Sequence, residues 1–273
     1  MKKRTFKLLK CHPKYKKYDL CLNEDIVMNM RDNWNKKNPH KLIKTRKKKN
    51  IINTLRRYLS VCSHQKCLVD NTLDMKMNLF APISPSSWNS NKSEWLSSVD
   101  IVKVMKQYEE TYPQFIFLGP TPIDFDEKYG SRCIWPEICN LSIKGQLRQQ
   151  KKYIGIIFNL DTHDKSGSHW VCMFINLEHK YILYLDSNGL QMPKQIYKLT
   201  KRIVNECHEL NIDMKVYTNK MRHQYEDGEC GMYCLYTIVQ LLEQKHKVQY
   251  FLTHRISDHK MNAYRNIFYN KMI

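Results

Sequence analysis

Residues 169–186 read HWVCMFINLEHKYILYLD. Two short runs rich in β-branched and aromatic residues, Trp170–Leu177 and Tyr181–Leu185, flank the tight polar turn Glu178–Lys180, which is the pattern of a β-hairpin. In an antiparallel hairpin the start of one strand lies beside the end of the next. The hairpin therefore makes neighbours of His169 and Asp186, seventeen positions apart in the chain. A carboxylate so placed can hold one imidazole nitrogen while the other faces a nucleophile.

Working outward, Tyr153–Leu160 is a third strand-like run and Met214–Thr218 a short fourth. From Glu94, the residues Trp95, Val99, Val102, Met105 and Tyr108 fall on neighbouring helical turns until Pro113. Pro193–Asn211 carries Pro in its first turn, Cys230–Gln244 is a largely apolar helix, and Asp258–Met272 closes the chain. Helices around hairpin-linked strands predict an α+β fold. The 273 residues are 42% hydrophobic with 8 Gly and 9 Pro, enough to bury a real core and unlike a low-complexity chain. The longest apolar runs are too short for a membrane span, and the N-terminus MKKRTFKLLKCHPKYKK lacks the apolar stretch of an export signal. A soluble intracellular protein is expected.

Charge is uneven. Residues 1–60 hold 19 Lys/Arg against 4 Asp/Glu, a local +15, whereas the remaining 213 carry 26 against 22. The expectation is a basic arm that attracts nucleic acid, anionic lipid or an acidic protein surface, the alternative being a merely solvated helix face. Within it Ile51, Ile52, Leu55, Tyr58, Leu59 and Cys62 recur at helical spacing. The layout predicts a basic helical arm over 1–70, a linker or entry loop over 71–93, and the main body over 94–273. Ten cysteines without an export signal are expected as reduced thiols. Cys62, His64 and Cys67, with Cys11, His12 and Cys21 upstream, are weighed as a zinc site. Their loose spacing favours plain buried thiols, and no metal or cofactor is expected.

One thiol has a chemically special position. Nucleophilic attack needs thiolate, which the unpaired N–H groups and dipole of a helix N-terminus stabilise. Cys230 sits there, after the acidic turn Glu226–Glu229 and before an apolar helix. Gly231 beside it adds no side chain, so a substrate carbonyl can approach the backbone. Cys172 falls in a strand, and Cys207 and Cys234 in helices, where thiols are usually inert core. Gln224, six residues before Cys230, can aim its amide where a carbonyl oxygen gains charge, alongside the Cys230 N–H.

The order His169-Trp170, Asp186, Gln224-x5-Cys230-Gly231 resembles the papain-like proteases that release ubiquitin-like modifiers such as SUMO, over about residues 95–270. It also resembles the maturation and polyprotein proteases of large DNA viruses, whose layout the basic Cys-bearing arm suits better than that of cellular enzymes. Trp95-Leu96 is similar to that family's Trp-Leu-Asn-Asp entry, with Ser97-Ser98 replacing the Asn-Asp pair, and Asn188 is an alternative to Asp186 as third member. The resemblance implies a papain-like fold with a small mixed or antiparallel sheet flanked by helices. It implies catalysis by His169, Asp186 and Cys230, an oxyanion hole at Gln224, and a narrow substrate channel walled by Trp95 and Trp170, with Gly231 as a further substrate-binding residue. The implied activity is a cysteine endopeptidase cutting after Gly-Gly or Gly-X in a viral polyprotein or capsid precursor, in the virion and host cytoplasm. The alternatives are a protease acting on a host ubiquitin-like conjugate, and a nucleic-acid-binding protein whose protease body is inert.

Overall fold

The computed structural model describes residues 6–75 and 77–271. Contacts divide the chain into two compact units, one of residues up to Ile83 together with those from Ile267 on, the other Ser84–Asn266.

The first unit holds α1 (Glu24–Lys37), α2 (Lys48–Tyr58) and α3 (Gln65–Thr72). Asn23 caps α1 by accepting the Ile26 N–H, and Ile26, Val27, Met30 and Trp34 form its buried stripe. The expected amphipathic stripe is α2, whose Ile51, Ile52 and Leu55 enter the same core as Leu22, Leu68 and Leu79. These boundaries differ from an arm over 1–70, a linker over 71–93 and a body reaching 273, and the first five residues of that arm lie outside the described residues. Asn270 explains the difference. Its Oδ1 accepts the Lys10 N–H at 2.7 Å, and its Nδ2 donates to the carbonyls of Lys10 and Ala81, both at 3.0 Å. Both the presumed linker and the last residues of the chain thus supply backbone partners to this unit.

The reduced-thiol expectation is corrected here. Cys11–Cys21, Cys62–Cys67 and Cys133–Cys139 are disulfides, since turns bring their Cα atoms to 5.1, 5.4 and 6.3 Å. The four sulfurs weighed for zinc are committed to these bonds. His12 and His64 instead use Nδ1 to accept the N–H groups of Lys14 and Cys67. Among the described residues no three His, Cys, Asp or Glu side chains cluster as metal ligands.

The second unit runs α4 (Ser98–Thr111), β1 (Phe115–Pro122), the small hairpin β2 (Lys128–Tyr129) and β3 (Arg132–Cys133), α5 (Pro136–Cys139), α6 (Ile143–Arg148), β4 (Tyr153–Asn159), β5 (Trp170–Asn176), β6 (Tyr181–Leu185), α7 (Lys194–Glu209), β7 (Lys215–Thr218), α8 (Cys230–Leu242) and α9 (Val248–Thr253), and most of α10 (Asp258–Phe268). Its sheet has the order β1-β4-β5-β6-β7 and is mixed, with β1 parallel to β4, β6 parallel to β7, and antiparallel pairs between. One face, carrying Ile156, Met173 and Ile182, packs on Ile196, Leu199 and Ile203 of α7. The other meets α8, and Gly155 of β4 is required there. A Cβ at that position would stand 3.1 Å from Ile238 and 3.0 Å from Phe115. With both faces covered, the strands read as continuous apolar runs and not as alternations. No helix among the described residues is long and apolar enough to cross a membrane.

Candidate active site

The β5–β6 hairpin has the pairing expected of it. Cys172 faces Leu185, a register that places Asp186 across from Val171 and His169 on the adjoining diagonal, within side-chain reach. His169 Nε2 and Asp186 Oδ1 lie 2.7 Å apart. The same Oδ1 accepts the Asn188 N–H at 2.8 Å, while the Asn188 amide stands 3.5 Å from the imidazole. The Cys230 thiol is close enough to His169 to act on its titration. With Nε2 turned to Asp186, Nδ1 is the nitrogen available to sulfur. Burial pulls the imidazole pKa down, but the bond to Asp186 and the influence of the Cys230 thiol outweigh it and raise the pKa to about 9. His169 is therefore held protonated at neutral pH. His163, in the loop just before it, turns instead to Asp124 at 2.6 Å.

Cys230 opens α8 and is 2% exposed. The preceding turn is tightly fixed. Gly228 has φ +100°, and a Cβ there would collide with the Ser93 carbonyl oxygen at 1.9 Å. Glu229, fully buried, is paired through both carboxylate oxygens with Arg265, each contact 3.2 Å. Burial raises the Glu229 pKa while Arg265 opposes the shift. Arg265 also donates to the carbonyls of Glu94 and Gly228.

Gln224 is anchored at both ends of its amide. Oε1 accepts from the Ser187 hydroxyl at 2.7 Å, and Nε2 donates to the Glu226 carbonyl at 2.7 Å. Glu226 takes only one of the two Nε2 hydrogens. The Ser187 carbonyl also takes the N–H groups of His223 and Gln224 at 2.8 and 2.9 Å. Asn219 completes this fixed loop, accepting the Asp186 N–H at 2.9 Å and donating to the Asp186 carbonyl at 2.7 Å.

The two tryptophans and Gly231 depart from expectation in detail. Ser97 caps α4 in a reciprocal pair with Asp100, so the helix starts after Trp95 and Leu96. Trp95 is therefore a 47% exposed loop residue and not part of the helical stripe. Trp170 is buried and donates from its indole to the Leu96 carbonyl at 2.9 Å. Both line a cavity of about 800 Å³ with Pro120, Trp135, Asn159 and His163. Gly231 is closely packed on its side-chain side. A Cβ there would lie 2.8 Å from Leu96 and 3.3 Å from Trp170, so its smallness serves the packing of those two side chains.

Sequence reading missed Asn219, the Glu229–Arg265 pair, and a buried set around His223, Tyr233 and Asp258. An acidic turn signals solvent, and nothing local marks Glu229 as paired with a residue 36 positions on.

Residues 140–273 match the Ulp1 protease family, C-terminal catalytic domain. A protein of Acanthamoeba polyphaga mimivirus bearing a thiol-protease name is 29% identical over 208 residues, covering 76% of this chain and 67% of that one. A protein of African swine fever virus named as a SUMO-1 cysteine protease is 27% identical over 114 residues, 41% of each chain. The alignment thus spans about two-fifths of the African swine fever virus protein. A crystal structure of the protease of that virus superposes with a TM-score of 0.67 at 19% identity, covering 100% of this chain and 99% of that one. That last likeness is one of fold.

Proposed function

The chain carries a cysteine protease domain of the Ulp1 family, and from that premise we propose that it is an endopeptidase cleaving after small residues, Gly-Gly or Gly-X, in a viral polyprotein or capsid precursor. One observation carries the reading. His169 bonds a buried carboxylate through Nε2, and the thiol at the N-terminus of α8 is close enough to raise its pKa. In the proposed cycle Cys230 thiolate attacks the scissile carbonyl carbon. The oxygen gains charge against the Cys230 N–H and the second Nε2 hydrogen of Gln224. The tetrahedral intermediate collapses, and His169 gives its proton to the leaving amine. Water, its proton taken by the same imidazole, then displaces the sulfur and releases the acid. Asp186 orients the ring and stabilises imidazolium without bonding substrate. Trp95 and Trp170 flank the approach and limit it to small side chains.

The viral origin of the matched relatives supports a precursor substrate. The name of the African swine fever virus relative favours a second reading, release of a SUMO-like modifier. The third alternative, an inert body, is set aside by the cysteine-peptidase family match. Incubating the purified chain with a Gly-Gly-X peptide aldehyde and, separately, with a SUMO vinyl sulfone decides between the first two. Preferential inhibition by the aldehyde supports the endopeptidase, preferential capture of the modifier supports the second reading, and Cys230→Ala abolishes covalent capture in either case. We further propose that the basic residues of the first unit hold the enzyme on nucleic acid or an acidic substrate, in the virion and host cytoplasm. Binding that does not weaken as salt rises would count against this.

A further inference from the structure

Behind the loop that carries Gln224 lies a polar cluster sealed from solvent. His223 and Tyr233 are 0% exposed and Asp258 is 4% exposed. The His223 ring has both nitrogens committed. Nδ1 accepts the Ile256 N–H at 3.2 Å, and Nε2 faces the Phe251 carbonyl at 3.2 Å. A peptide N–H can only donate and a carbonyl can only accept, which fixes the proton on Nε2 and the ring as neutral. The ring thereby satisfies a carbonyl in the last turn of α9, where helices leave acceptors unpaired. It also stacks on Tyr233, centroids 6.1 Å apart. The Tyr233 hydroxyl lies within bonding distance of three acceptors, the His223 carbonyl at 3.2 Å, the Ile256 carbonyl at 2.9 Å and Asp258 Oδ1 at 3.1 Å. Asp258 in turn accepts the Tyr225 N–H. Residues 223 and 225, on either side of Gln224, are thus pinned to α8 one turn past Cys230 and to the segment following α9.

We infer that His223, as a neutral ring, is a positioning residue for Gln224, and that its protonation releases the oxyanion donor without disarming the nucleophile. This rests on the reading of Gln224 given above. A second proton would fall on Nδ1 and oppose the Ile256 N–H, donor against donor. The titratable and charged groups around the ring are Tyr233 from α8, Arg255 from the segment after α9, and Asp258 at the start of α10. Burial first, and Arg255 second, disfavour the charged ring, only partly offset by the Phe251 carbonyl. The cluster therefore holds at neutral pH and gives way as pH falls below the ordinary histidine value of 6.5. Its failure separates two properties that loss of His169 would remove together, namely thiolate reactivity and stabilisation of the developing oxyanion.

The test compares two reactions of the full chain. Alkylation of Cys230 by iodoacetamide needs thiolate but forms no oxyanion, whereas hydrolysis of a Gly-Gly peptide amide needs both. In His223→Gln, kcat should fall about 10²–10³-fold, the range for losing one oxyanion donor, with KM and the alkylation rate nearly unchanged. In the wild type, the ratio of turnover to alkylation should drop on acidification, and in His223→Gln it should be flat. Tyr233→Phe, which removes only the hydroxyl, should show a smaller loss of the same kind. Parallel loss of alkylation and turnover in both variants would make the cluster merely structural and overturn the proposal, as would unchanged turnover. Alkylation mapped to a thiol other than Cys230 in the wild type would instead remove the nucleophile assignment, and this proposal with it.

Discussion

Replacing Asp186 by Asn keeps the shape beneath His169 and removes the charge. The bond from Nε2 to Oδ1 is 2.7 Å long, charge-assisted and buried, and such bonds contribute roughly 1.5–3 kcal/mol. At about 1.4 kcal/mol per pH unit, its loss should lower the imidazole pKa by roughly 1–2 units. The wild-type value is about 9, so the alkaline limb of kcat/KM, where imidazolium gives up its proton, should retreat toward neutrality in Asp186→Asn. Stability should follow in sign. Because the folded pKa is raised above the ordinary 6.5, the stabilisation from this site is complete below that value and disappears as pH climbs through about 9. In Asp186→Asn that contribution should shrink and vanish at lower pH. Initial rates on a quenched peptide across the pH range, with melting temperatures at both ends, measure the two effects. An unmoved alkaline limb in Asp186→Asn, with a shift in Asn188→Ala instead, would refute the reasoning and make Asn188 the partner.

Cys230→Ser should lower turnover by orders of magnitude because an alkoxide is far harder to form than a thiolate, while Cys234→Ser, one turn deeper in α8, should retain most activity on the same peptide. Arg265→Met leaves the Glu229 carboxylate buried and unpaired, at a cost of about 3–5 kcal/mol. Calorimetry should then show a melting temperature lowered by roughly 6–20 °C, and a change within error would mean that Glu229 finds another partner. A chain starting at residue 71 strips Lys10 from Ala81 and Asn270 and removes α1 and α2 from their core. It should bind a hydrophobic dye and lose one unfolding transition, whereas an intact cooperative melt would mean that the remaining residues fold without α1 and α2.

The hairpin was readable because its information is local. A three-residue turn between two apolar runs sets a register, and the register sets His169 beside Asp186. Cys230 was readable for a similar reason, the change from an acidic turn to an apolar helix. Trp95 was placed on the α4 stripe because hydrophobic spacing continues through it, although the capping pair of Ser97 and Asp100 starts the helix later. β1 was missed because Pro120 and Pro122 argue against a strand, and it survives as an edge strand next to β4. The disulfides were missed because a compartment argument was applied where proximity decides. Asn219, Tyr233, Asp258 and Arg265 bond across 10 to 171 positions, and no spacing rule reaches that far.

Asn270 has a consequence for the order of synthesis. The groups it bonds, on Lys10 and Ala81, leave the ribosome well before it, Asn270 following Ala81 by 189 positions. At about 5–20 residues per second, the intervening residues 84–266 take roughly 10–40 s to appear. Throughout that interval the first unit lacks the contacts that Asn270 makes. Release of the chain before Asn270 is made would therefore leave the carbonyls of Lys10 and Ala81 without this partner, so a truncation of only a few residues at the C-terminal end acts on the segment made first.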